Sequence, residues 1–168
     1  MSKRALEKHL NSLNKDHISL LVTELYEKFP EVKTYFNFVF NPNEEKIIEQ
    51  ARVKIANEYF PLKRKHPKAR RSMAQKYIKH FGTLGVAPEL IASFMWFNLG
   101  LMYTFSEDKP QGLAFFKSFL SSYKQAVQYV NYHQLVSEFK LDILKIYETS
   151  QAWPNAYDFE KCINMIDD

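Results

Sequence analysis

The sequence predicts an all-α protein, and three observations carry that expectation. Apolar side chains recur every three or four residues through segment after segment, while no segment sustains the period-two alternation of a strand. Only four glycines stand among 168 residues, too few for a turn-dense β sandwich, whereas seven prolines supply the breaks that joined helices need. The composition, 46% hydrophobic and 25% charged, is that of an ordinary globular chain. At this length a single helical domain, residues 1–168, is expected to bury a core without disulfide or metal support. About eight to nine helices are expected, as an irregular bundle or a helical-repeat-like array.

The elements follow from the N-terminus. Ser2 caps a first helix in which Leu6, Leu10 and Leu13 repeat at i, i+4 and i+7. Asn14 restarts the chain, and a second helix to about Phe29 aligns Ile18, Leu21, Val22, Leu25 and Phe29. Pro30 opens a third, with Val32, Tyr35, Phe36 and Val39 on one face before the Asn41-Pro42-Asn43 break. Asn43 caps a fourth, where Glu44 and Glu45 complement the helix dipole and Ile48, Ala51, Ile55 and Tyr59 form the stripe. Pro61 and Pro67 enclose LKRKH, too short and too charged to bury, and residues 61–71 are expected as an exposed basic loop running into a helix start. The fifth helix is expected from about Pro67 to Leu84, with Gly85 and Pro88 as its stop and the next start.

Leu90 to Ser106 is a charge-free run of seventeen residues at the lower limit for crossing a bilayer. Ser93, Asn98 and Gly100 within it, and Glu89 and Glu107 at its ends, fit better with a central helix surrounded by protein. Integral membrane insertion is therefore not expected. A seventh helix is expected from near Pro110 to about Asn131, an eighth from His133 to about Gln151, and a short last one opened by Pro154. Residues 164–168 are expected to fray. Cys162, the only cysteine, shares one side of that last helix with Phe159, Ile163 and Ile166, so it reads as core in a reducing compartment. The charged N-terminal run lacks the apolar stretch of an export signal, and a cytoplasmic location is expected.

Charge is distributed unevenly. Tyr59 to Pro88 holds eight of the 23 Lys and Arg and none of the 19 Asp and Glu, leaving the rest of the chain net negative. This run, FPLKRKHPKARRSMAQKYIKHFGTLGVAP, together with MSKRALEKHLNSL and FNFVFNP, resembles a family of small helical bacterial proteins, mainly of the Bacteroidetes, that carry a domain of unknown function. The resemblance covers most of the first hundred residues and weakens toward the C-terminus. It implies a bacterial cytoplasmic protein and supplies no activity, cofactor or catalytic residue.

On the fifth helix Met73, Ala74, Tyr77, Ile78, Phe81 and Leu84 fall in one apolar arc, opposite Ser72, Lys76, Lys79 and Thr83. With Pro67 as first residue, Lys68, Arg70 and Arg71 lie at the positive end of the dipole, where each exposed cation costs about 0.3–1 kcal/mol. A bound anion reverses that cost. A phosphate there would accept from free backbone N–H groups and from the Arg70 or Arg71 fork, with Lys63, Arg64 and Lys65 adding charge. Two other readings stand beside this one: plain solvation of a charged face, and internal neutralisation by acids such as Asp158, Glu160, Asp167 and Asp168.

Several chemistries lack their motifs. No Walker-type loop, nucleophile elbow or dinucleotide fingerprint occurs. Gly82 to Gly85 has the spacing of a backbone-clamping GxxG loop, but that module needs strands, and a helix stop explains both glycines. His9, His17, His66, His80 and His133 lie singly, so no metal or other cofactor is expected. Glu44, Glu45 and Glu49 lack the Glu-x-x-His partners of a di-iron bundle. The expectation is a non-enzymatic protein that binds phosphate-rich partners, foremost nucleic acid without sequence preference, through Lys63, Arg64, Lys65, Lys68, Arg70, Arg71, Lys76 and Lys79. The alternative is a helical protein-interaction module, with an acidic protein as one such partner, whose basic segment is only solvated or internally paired. A large exposed aromatic patch away from residues 63–79 would favour the latter.

Overall fold

Short helices with one apolar stripe each must bury that stripe on a neighbour, and the architecture follows from which stripes are wide enough to do so. A computed structural model describes residues 1–63, 65–164 and 166. Among these the fold is all-α, with nine helices and no strand, as the periodicity requires. Contacts divide the chain into two units, residues 1–43 and residues 44–168.

The first unit comprises α1 (Lys3–Asn11), α2 (Lys15–Lys28) and α3 (Pro30–Phe40). The Ser2 hydroxyl accepts from the Ala5 N–H at 3.3 Å, and the Asn14 side chain accepts from the His17 N–H at 2.9 Å, so both expected caps form. Pro30 is the first residue of α3. Helices α2 and α3 pair, with the Tyr26 hydroxyl donating to Asn37 Oδ1 at 3.1 Å and Phe36 stacked on Phe40. No residue of these three helices is fully buried.

The second unit is an irregular bundle of α4 (Glu44–Tyr59), α5 (Arg71–Leu84), α6 (Pro88–Asp108), α7 (Leu113–Tyr132), α8 (Val136–Ser150) and α9 (Ala156–Ile163). Helix α6 is central and packs on α4, α5 and α7, while α9 closes against α7 and α8. The seventeen-residue apolar run lies within α6, which buries Ile91, Phe94, Met95, Trp96, Leu99, Met102 and Phe105. No helix among the described residues is long and apolar enough to cross a membrane. Aromatic side chains knit the core: Phe81 meets Phe94 edge-on at 5.3 Å, and Phe119 meets Trp153 at 4.8 Å. Cys162 is buried, its thiol donating to the Asp158 carbonyl, and burial pushes its pKa up.

Four helix starts differ from expectation, among them that of α8, which begins at Val136 rather than His133 because Gln134 takes a left-handed backbone with φ 59°. Helix α5 begins at Arg71, four residues later than Pro67, because Ala69 takes a left-handed backbone with φ 46° that no α-helix passes through. Helix α7 begins at Leu113, after Gly112 rather than at Pro110, and α9 begins at Ala156, since Pro154 sits in a turn running from Ser150 to Ala156. Gly85 is the αL terminator of α5, with φ 78° and the Val86 N–H bonded back to the Phe81 carbonyl. The terminal segment is described through Asn164, which caps α9, and at Ile166; Met165, Asp167 and Asp168 lie outside the described residues, and with them most of the expected fraying.

Candidate anion-binding site

The site begins with the end of α4. The last carbonyls of a helix have no partner within it, and an acid in its last turn faces the negative end of the dipole. Glu58 occupies that turn and is 6% exposed, so both its backbone oxygen and its carboxylate need donors. The returning chain supplies them. Its carbonyl accepts from the Lys68 and Ala69 N–H groups, both at 3.0 Å. Its carboxylate receives the Arg70 fork: Nε donates to Oε2 at 2.9 Å and Nη2 to Oε1 at 3.0 Å. The left-handed turn at Ala69 brings these three consecutive residues onto one acid, and the bonds to Glu58 raise the pKa of the Arg70 guanidinium.

Arg71, the next residue, turns the other way. Its Nε donates to the Ser122 hydroxyl at 3.0 Å and its Nη2 reaches Gln125 Oε1 at 3.4 Å, on α7. Gln75 Nε2 shares that Gln125 oxygen at 2.7 Å. Adjacent arginines therefore fasten the start of α5 to α4 and to α7. Beneath them the Tyr59 hydroxyl is buried without a hydrogen-bond partner among the described residues, and burial, then the Glu58 charge, pushes its pKa far up.

The expected site residues thus separate into two groups. Arg70 and Arg71 meet at the start of α5, as the charge run suggested, but both guanidinium forks are engaged within the protein. Lys68 lies before the helix rather than in its first turn. Lys63, Lys65, Lys68, Lys76 and Lys79 are exposed, and none of the five forms an ion pair among the described residues. Arg64 lies outside the described residues. The first turn of α5 has neither an acid nor a side-chain cap.

Among the described residues internal neutralisation of the basic segment is by Glu58; of the C-terminal acids, Asp167 and Asp168 lie outside the described residues. Asp158 pairs with Lys161 at 3.3 Å, and Glu160 is exposed. Sequence reasoning missed Glu58, yet a signal was present: it follows Ile48, Ala51 and Ile55 at helical spacing, an acid on an apolar stripe. Buried Ser122 and half-buried Gln125 carry no comparable signal, because polar residues along a long helix are common.

Among the described residues no three His, Cys, Asp or Glu lie close enough to hold a metal. A cavity of about 60 Å³ between α6 and α8 is lined by Trp96, Tyr103, Asp142 and Lys145 and has room for little more than water. A larger groove of about 410 Å³ along α8 is mostly aliphatic, with Lys140 as its one charge.

These features define an all-α protein whose basic segment is clasped at its base by a buried acid and whose remaining lysines face outward. The chain belongs to the family of unknown function DUF6155, whose model matches residues 1–167, so the likeness seen over the first hundred residues extends to the C-terminal helices. Neither the curated proteins nor the solved structures give a match.

Proposed function

We propose that this chain is a non-catalytic helical interaction module that docks a protein partner through α2 and α3. The observation that carries the reading is apolar exposure within residues 1–43. Leu21, Leu25 and Phe29 repeat every four residues along α2 and its cap, and Tyr35 and Val39 do so on α3. All five are exposed, at 41–48% of their surface. Exposed apolar surface of this kind marks interaction sites, and Phe29 and Tyr35 give it in part the aromatic character expected of an interaction module. A cytoplasmic setting suits the buried, reduced thiol of Cys162.

Photo-crosslinking tests this. A photoreactive residue at Leu25 should give one discrete protein adduct in cells, lost on adding Val39→Glu, while the same group at Glu24 gives none. Equal labelling from both positions, or no discrete adduct, sinks the reading.

A second reading is favoured by the five exposed lysines that form no ion pair among the described residues: contact with nucleic acid, without base readout, through Lys63, Lys65, Lys68, Lys76 and Lys79. Each phosphate neutralised releases counterions, so the logarithm of affinity should fall with the logarithm of salt at a slope of about −0.9 per contact. Fluorescence anisotropy of labelled DNA and RNA across salt concentrations measures that slope. Binding that ignores Lys76→Glu combined with Lys79→Glu discards this reading.

A further inference from the structure

We infer that Glu58 is a built-in competitor for phosphate: its carboxylate occupies the edge of Arg70 that would otherwise take an external phosphate, and so restrains polyanion binding by this chain. The inference rests on the second reading above, of nucleic-acid contact through the lysines.

The geometry is that of a ligand already in place. A guanidinium presents its Nε and one Nη as a two-pronged donor, and carboxylate and phosphate take the same prongs. Here both prongs are bonded to the two Glu58 oxygens, at 2.9 and 3.0 Å. The partners differ sharply in access: the Glu58 side chain is 7% exposed and that of Arg70 47% exposed. A phosphate can therefore approach Arg70 from solvent while Glu58 holds its inner edge. To capture the fork, the phosphate must leave behind a buried carboxylate without its guanidinium, a penalty that a surface ion pair does not carry.

Position makes the competition consequential. Arg70 lies two residues after Lys68 and immediately precedes the first turn of α5, which has no side-chain cap, so a freed fork would lie among exposed lysines at a helix start. The Glu58 carbonyl, bonded to the Lys68 and Ala69 N–H groups, holds that stretch in place independently of the carboxylate. Neutralising the carboxylate therefore releases the fork without removing the backbone anchor. In the unaltered chain the lysines alone meet phosphate, and Arg70 is silent.

A double-mutant cycle tests this by anisotropy with labelled duplex DNA. Glu58→Gln keeps the side-chain shape and removes the competing charge. It should bind about tenfold tighter at low salt, with a salt slope steeper by about one phosphate contact. Arg70→Gln should bind no tighter than the unaltered protein, because it frees no fork. Glu58→Gln combined with Arg70→Gln should lose the gain. A Glu58→Gln protein that binds no tighter, or a gain that survives in the double variant, overturns the inference. Should Glu58→Gln fail to fold, Glu58→Asp replaces it: the shorter acid breaks the two-pronged fit, so a smaller gain is expected and no gain counts against the proposal. Failure of the underlying reading looks different, since unaltered binding would then be absent or indifferent to Lys76→Glu with Lys79→Glu. DNA binding that appears only in Glu58→Gln supports the competitor even when the unaltered chain does not bind.

Discussion

Single residues carry strain here that their identities conceal. Ala69 and Gln134 have φ of 46° and 59°, in the left-handed region that costs a side chain roughly 1–2 kcal/mol and glycine almost nothing. Gly85 does the same work at the end of α5 with the residue type that suits it, which is why that stop could be read in advance. Gln134 ends α7 through the same back-bond, Leu135 N–H to Val130 carbonyl at 2.8 Å, yet nothing in its side chain announces the turn. Ala69→Gly and Gln134→Gly should each stabilise the protein by about 0.5–1 kcal/mol, the relief of strain exceeding the extra chain entropy. Chemical denaturation measures this, and a loss of stability in both would show that the turns are not strained. Tyr123 illustrates the opposite case, a buried polar group that is satisfied. Its hydroxyl donates to the Ile143 carbonyl at 3.1 Å, so Tyr123→Phe should cost about 1 kcal/mol by the same measurement.

At the scale of elements, most helices were legible because each carries a one-sided stripe and a start or stop residue. Ser2, Asn14, Pro30 and Gly85 mark boundaries where they were expected. The largest departure, the start of α5, was decided by a partner on another helix. Pro67 is a good first helical residue by local rules, but the Glu58 carbonyl captures the two N–H groups that follow it and forces the left-handed turn. Local signals do not register such capture, since the acid lies on another helix. The candidate site shared this limit: its lysines and arginines could be listed from charge alone, whereas the engagement of Arg70 and Arg71 depends on which side chains face them across the fold. The clasp predicts its own behaviour under exchange. Arg70→Ala should leave hydrogen exchange at the Lys68 and Ala69 amides slow, because the Glu58 carbonyl holds both without the side-chain fork. Faster exchange at residues 68 and 69 would mean that the backbone anchor depends on the fork.

For the molecule as a whole, the decisive asymmetry is where burial occurs. Among the described residues every buried side chain belongs to residues 44–168, from Ile48 to Cys162, and the largest of them, including Tyr59, Phe81, Phe94, Phe119 and Phe159, lie within that bundle. Phe119 touches Phe115, Trp153 and Phe159 and is completely enclosed, so Phe119→Ala should cost about 3–5 kcal/mol, close to the whole stability of a small domain. Residues 1–43 have the reverse character: three helices of 9, 14 and 11 residues and no fully buried residue. Helices that short are marginal in water without tertiary packing, and chains near this length rarely hold a core alone. A fragment of residues 44–168 should therefore melt cooperatively, as followed by circular dichroism, while a peptide of residues 1–43 shows little helix by itself. The same peptide should gain helix on meeting a partner that covers Leu25 and Val39. A peptide already fully helical alone would mean that local propensity supports α2 and α3, and their exposed apolar stripes would lose their claim as surfaces that need a partner.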